Sequence, residues 1–245
     1  MKKKIKQNIQ TNEELISIVL LCDLPGYRMK SYGPTSLISI HNKKLIDFQI
    51  DAIKKTFDKF EIIICVGFEA EKICKYIRQK YNNMSIRIVE NQSFNSSNSY
   101  ESTRLSINNT MNKKVLICNG ELLINKKTLK LLDLNRTCVL IEKSTSENLD
   151  IGLNMNSNKE AQHFSFGAYQ TWSEMVYLCG NDVVEHIRKV LSHPDSKKKF
   201  IFEALNELIR SNFTILCIDN KFPVQKINNI KTYHNIRDNN EIFSI

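Results

Sequence analysis

The chain has 245 residues, of which 42% are hydrophobic and 25% charged, and it carries a formal net charge of +9. That length can bury a substantial core, and the composition is ordinary for a soluble globular protein, which excludes large-scale disorder. The positive balance favours anionic partners such as nucleotides, sugar phosphates, nucleic acid or acidic surfaces, although plain solubility is the simpler account of it.

Residues 1–14 are polar and basic and read as a flexible arm. Glu13 and Glu14 precede the first apolar run, so a secretory leader is not expected, and no window is long enough to span a membrane. Ile16–Cys22 is uncharged and rich in β-branched residues, as a strand buried on both faces must be. A loop with Leu24, Pro25, Gly26, Tyr27 and Arg28 follows, at the strand end where open α/β sheets hold ligands. Arg28 there is either a solvated side chain or a guanidinium fork beside an anion.

Lys44–Phe57 spaces Leu45, Phe48, Ile53 and Phe57 as a helix does, and Glu61–Val66 reads as a second buried strand closed by Gly67. Glu69–Tyr81 repeats the helical pattern with acidic residues in its first turn, and Ser85–Val89 is a third strand. Asn91–Ser106 begins as a Ser/Asn-rich loop in which Asn98 and Ser102 either cap a helix or meet a ligand. Lys114–Cys118 is a fourth strand, running into Asn119, Gly120 and Glu121. Four strand-helix alternations predict a Rossmann-like, doubly wound, mostly parallel α/β sheet.

The second half is less regular. Strands are expected at Thr137–Ile141, Met175–Cys179, Phe213–Ile218 and Val224–Ile227, and helices at Asp182–Leu191, Phe200–Ser211 and Asn229–Asp238. Residues 15–245 are read as a single domain, 15–125 forming one half and 126–245 the other. Seven scattered cysteines without a C-x-x-C pair fit a cytoplasmic protein, and the five histidines show no metal-ligand spacing. Aromatic residues interleaved with arginines, the composition that stacks on bases, are missing, so nucleic acid is a minor reading.

In order and spacing these phrases resemble the nucleotidyltransferase family that includes sugar-phosphate nucleotidyltransferases and phosphocholine cytidylyltransferases. Gly26-Tyr27-Arg28-Met29 stands where that family has Gly-x-Arg-Met, and Val66–Ile77 looks like its second strand-to-helix passage. Asn91, Asn98, Ser102 and Leu105 match its Asn-rich nucleotide passage, and Leu116–Leu123 matches the phrase that normally reads Asn-Gly-Asp. The resemblance implies a nucleotide-binding half, 15–125, and an acceptor-side half, 126–245. It further implies nucleotide contacts from Leu21, Asp23, Gly26, Tyr27, Arg28, Asn98, Ser102 and Asn119, with Arg28 and Glu121 in catalysis. It also implies Mg²⁺ held by the residues at the Glu121 and Asn228 positions.

In such a transfer an acceptor phosphate oxygen attacks the α-phosphorus of a nucleoside triphosphate and pyrophosphate leaves, so cations must offset the crowded negative charge. This chain departs from the family at those positions. Thr35 replaces the phosphate-directed lysine, Glu121 the first metal aspartate, Asn228 the second, and Leu24 a loop glycine. Lys30 and Lys43 are nearby candidates to replace the lysine. Glu121 is either a metal ligand or a solvated loop carboxylate, and Trp172, with Phe164, Phe166 and Tyr169, either lines the acceptor side or belongs to the core.

Together these departures imply a pseudoenzyme, catalytically weakened or inactive, that binds a nucleotide, sugar nucleotide or other phosphorylated small molecule. The alternative is an active Mg²⁺-dependent enzyme forming an NDP-sugar or CDP-alcohol. A third reading is a scaffold or assembly subunit whose basic arm meets an acidic protein partner.

Overall fold

The computed structural model describes residues 15–143, 150–193, 196–222 and 224–238. The expected basic arm at 1–14 lies outside them.

In chain order the elements are β1 (Ile16–Cys22), β2 (Ser39–Ile40), β3 (Lys43–Lys44), α1 (Leu45–Lys54), β4 (Phe60–Val66), α2 (Ala70–Lys80), β5 (Ile86–Glu90), α3 (Ser99–Ile107) and β6 (Lys114–Asn119). After them come β7 (Leu122–Leu123), α4 (Lys126–Leu129), β8 (Cys138–Lys143), β9 (Ile151–Met155), β10 (Ala161–Phe166), β11 (Gln170–Cys179), α5 (Asn181–Leu191), α6 (Ile201–Arg210), β12 (Leu216–Asp219), β13 (Gln225–Lys226) and α7 (Ile230–Asp238).

Every residue of β1 is buried because the strand faces helices on both sides. Alternation divides it: Val19 and Leu21 pack with residues of α3, α5 and α6, whereas Ile16, Ile18, Leu20 and Cys22 pack with residues of α1 and α2. Truncating such a fully buried side chain, Leu20→Ala for instance, costs about 2–5 kcal/mol.

The main sheet runs β10-β9-β11-β6-β1-β4-β5, with β8 beside β11 and β12 beside β8. The strands β6, β1, β4 and β5 are mutually parallel, the Rossmann-like arrangement that the alternation predicts. The second half joins this block through β11, which runs antiparallel to β6, β8 and β9 and changes register between Trp172 and Val176. The hairpin of β9 and β10 is an addition to the sequence reading, since its strands are half exposed and carry Asn, Gln and His among their apolar residues.

A smaller apolar cluster, Met29, Ile38, Ile40, Leu45, Leu123, Ile227, Tyr233 and Ile236, anchors the loop after β1 to the β7-β13 ribbon and α7. No helix among the described residues is long and apolar enough to cross a membrane.

Candidate functional site

The C-terminal ends of β1 and β6, the β11 register change and the β7-β13 ribbon converge on one cleft. Leu21, Leu24, Asn98, Asn119, Glu121, Trp172, Glu174, Phe200 and Lys226 line it, and a narrower extension continues along Cys22, Asp23, Thr35, Ser36 and Gly120. Close backbone approach sets its floor. Gly120 N donates to Leu21 O at 2.8 Å, and a Cβ at Gly120 would lie 2.5 Å from that same oxygen.

The loop after β1 has its backbone donors engaged by the protein itself. Pro25 has no N–H, Gly26 N donates to Thr35 Oγ1 at 2.7 Å, Tyr27 N to Asn228 O at 2.6 Å, and Met29 N to Gly26 O at 3.0 Å. Thr35, standing where the resemblance has a lysine, is 1% exposed. A Cβ at Gly26 would stand 2.7 Å from Met29 Sδ and 3.2 Å from Asn228 O and Thr35 Oγ1, so a larger residue there requires Met29 to shift. Tyr27 is 68% exposed, and the Arg28 guanidinium lies 5.1 Å from its ring centroid. Arg28 adopts the left-handed conformation (φ 57°), and among the described residues it has no ion-pair partner.

Asp23 is buried beneath this loop. Its Oδ2 accepts from Ser102 Oγ at 2.5 Å and from Asn91 Nδ2 at 3.2 Å. Burial raises its carboxyl above the ordinary range despite those two hydrogen bonds. Asn98 occupies the N-cap position of α3, but its side chain caps nothing; Nδ2 donates to Lys198 O at 2.6 Å. Ser102 lies within α3 and is committed to Asp23, so capping describes neither side chain.

At the end of β6, Asn119 Oδ1 accepts from Glu121 N at 3.0 Å while its Nδ2 donates to Glu174 Oε2 at 2.7 Å. Burial pushes the Glu121 carboxyl up to about 7; Lys226 opposes this, and Glu174 and Asp23 add to it. Glu174, at φ 52°, holds left-handed backbone within the β11 irregularity, and conformations of that kind concentrate at functional sites. Its other carboxylate oxygen pairs with Lys226 Nζ. Burial pulls Lys226 down, but Glu174 and Glu121 hold it above its ordinary range.

Glu174 and Lys226 are the two charged residues of the main cleft that the sequence reading does not single out. Their signals were a carboxylate inside the largely apolar strand WSEMVYL and a lysine two residues before Asn228. Lys43, offered as a replacement lysine, pairs instead with Asp51 at 2.5 Å and lies over the Phe48 ring, beside a depression that shares no residue with the cleft. Trp172 is 3% exposed and donates from its ring nitrogen to Met175 O, so it serves as core and cleft wall together.

The residues at the implied Mg²⁺ positions do not fit a hard divalent cation. Asn228 is neutral and its Oδ1 accepts from Asn229 Nδ2 at 2.8 Å, and Glu174 is paired with Lys226. Among the described residues no group of three or more His, Cys, Asp or Glu is placed to hold a metal.

No family model matches the chain, and no curated protein matches it in sequence. Solved structures do match. It superposes on a CTP:phosphocholine cytidylyltransferase from Streptococcus pneumoniae with a TM-score of 0.74 at 16% identity, covering 92% of this chain and 98% of that one. A nucleoside-diphosphate-sugar pyrophosphorylase from Vibrio cholerae RC9 gives 0.72 at 12%, covering 91% and 100%. An inositol-1-phosphate CTP transferase from T. maritima gives 0.72 at 12%, covering 90% and 94%. At these identities the likeness establishes the fold.

Proposed function

Because the chain has the nucleotidyltransferase fold along nearly its whole length, we propose that it binds a nucleotide, sugar nucleotide or other phosphorylated small molecule in the cleft beyond β1 and β6. On this reading it transfers nucleotidyl groups weakly or not at all. The carrying observation is the bond from Gly26 N to Thr35 Oγ1. A loop that cradles a triphosphate must offer it backbone N–H groups, and this loop spends those of Gly26 and Tyr27 on the protein itself. Thr35 also brings no positive charge to the place where the transfer accumulates negative charge.

Binding is supported by what remains open. Arg28 stands on the loop without an ion pair among the described residues, and Lys226 reaches the cleft from β13. Apolar walls from Leu21, Trp172 and Phe200 suit the flat or aliphatic body of a ligand. A cytoplasmic site of action agrees with the scattered, mostly buried cysteines.

An active Mg²⁺-dependent enzyme forming an NDP-sugar or CDP-alcohol is the second reading, favoured by the Glu121 carboxylate facing the cleft. Calorimetric titration with CTP, UTP, GTP, ATP and dTTP, followed by a pyrophosphate-release assay with phosphocholine and sugar phosphates, separates the two. Saturable binding with no pyrophosphate release is the expected result. Turnover within the usual enzymatic range, roughly 1–1000 per second, would establish the second reading, and no binding at all would remove both.

A further inference from the structure

Among the described residues, Lys226 is the one cation whose side chain lines the cleft and its narrow extension. Its ammonium pairs with Glu174, and Glu121 lines the same cleft. Its side chain is 31% exposed while that of Glu174 is 14% exposed, so the lysine is the partner open to a ligand. The Glu174 carboxylate that holds it is fixed in turn by Asn119 Nδ2 at 2.7 Å and by the left-handed backbone at Glu174.

We propose that Lys226 is the resident cation of the cleft, its ammonium holding the ligand's phosphate where the family resemblance places a divalent ion, so that nucleotide binding does not depend on Mg²⁺. This rests on the ligand-binding reading above. A lysine and a divalent ion compete for the Glu174 carboxylate, and with Lys226 in place an incoming Mg²⁺ meets a like charge and a donor set already neutralised in part. Asn228, whose side-chain oxygen is engaged by Asn229, offers no anionic compensation. A phosphate meets the opposite situation. It can share the ammonium with Glu174 through the remaining N–H donors, because a lysine carries three.

The test is calorimetric titration of the full chain with CTP, UTP, GTP, ATP and dTTP, each in EDTA and in Mg²⁺, for wild type, Lys226→Met, Lys226→Arg and Lys226→Met/Glu174→Gln. The double variant removes both charges of the pair, so a loss of binding there does not come from a stranded carboxylate, and thermal melting checks that each variant folds. Expected are wild-type affinities equal within about twofold with and without Mg²⁺, a loss of about tenfold or more in both Met variants, and near-wild-type binding in Lys226→Arg. Wild-type binding that strengthens about tenfold or more with Mg²⁺ would overturn this inference and leave the binding reading standing. A folded double variant that binds as wild type would do the same. Absence of any nucleotide binding by wild type would overturn both.

Discussion

Thr35 Oγ1 accepts the amide proton of Gly26 at 2.7 Å, and this contact closes the loop after β1 on itself. A position that would otherwise project charge into the cleft has become part of the loop's internal hydrogen bonding. Thr35→Val keeps the shape and removes the acceptor, stranding a buried N–H at a cost of about 1–3 kcal/mol. For a chain of this size the melting temperature should fall by about 2–4 °C per kcal/mol, while Thr35→Ser melts close to wild type. Equal melting of the Val variant and wild type would show that the contact contributes nothing.

Gly120 sets the spacing between the ends of β1 and β6. A Cβ there would stand 2.5 Å from Leu21 O and 2.7 Å from Cys22 Sγ, and the Leu21 backbone is fixed in the sheet between β4 and β6. Gly120→Ala should therefore cost about 1–3 kcal/mol, the range seen for overpacking. Since Asn119 and Glu121 flank it, the same variant should weaken nucleotide binding. A variant with unchanged melting and unchanged affinity would mean that the strands part without strain.

Asp47 gives a pH signature distant from the cleft. Burial by itself would raise its carboxyl, but hydrogen bonds from Lys80 Nζ (2.6 Å), Tyr81 OH (2.7 Å), Tyr76 OH (2.7 Å) and Lys44 N (3.2 Å) hold it below the ordinary range. A depressed native pKa contributes stability above the unfolded value, which is lost as pH falls through the native one. Asp47→Asn should cost about 1–3 kcal/mol at neutral pH, a figure reduced for the half-exposed Lys80, and the gap to wild type should close below about pH 4. Denaturant melts across that range are the check, and a gap independent of pH would assign the loss to packing.

Much of the parallel half was legible because strands buried on both faces and one-sided helices leave clean periods, as in Ile16–Cys22 and Glu69–Tyr81. The hairpin at Ile151–Met155 and Ala161–Phe166 was not, since its half-exposed strands alternate weakly. In the site, sequence located Asn98 at a helix start but not its partner, Lys198, which is 100 residues away. Ser102 meets Asp23 across 79 residues, and Lys226 meets Glu174 across 52. Local pattern records which residue types stand near a strand end; whether their polar groups are spent on one another is decided by tertiary contacts that no local period encodes.

Glu121 makes the cleft's electrostatics measurable in the absence of any ligand. Its carboxyl is pushed up to about 7 by burial and by the neighbouring Glu174 and Asp23, with Lys226 opposing them, whereas in the unfolded chain it returns to about 4.5. A raised native pKa means that the folded state retains a proton which the unfolded state has released. The associated stability is complete below the unfolded value and is lost as pH rises through the native one. Wild type should therefore lose on the order of 2 kcal/mol between about pH 4.5 and 7 from this group and nothing further above that window. Glu121→Gln preserves the shape without the charge, so its melting temperature should rise relative to wild type across the same interval and then run parallel to it. Curves parallel over the whole interval would mean that Glu121 is solvated in the native state. The cleft would then have no near-neutral carboxyl, and Lys226 would face an ionised Glu121 as well as Glu174.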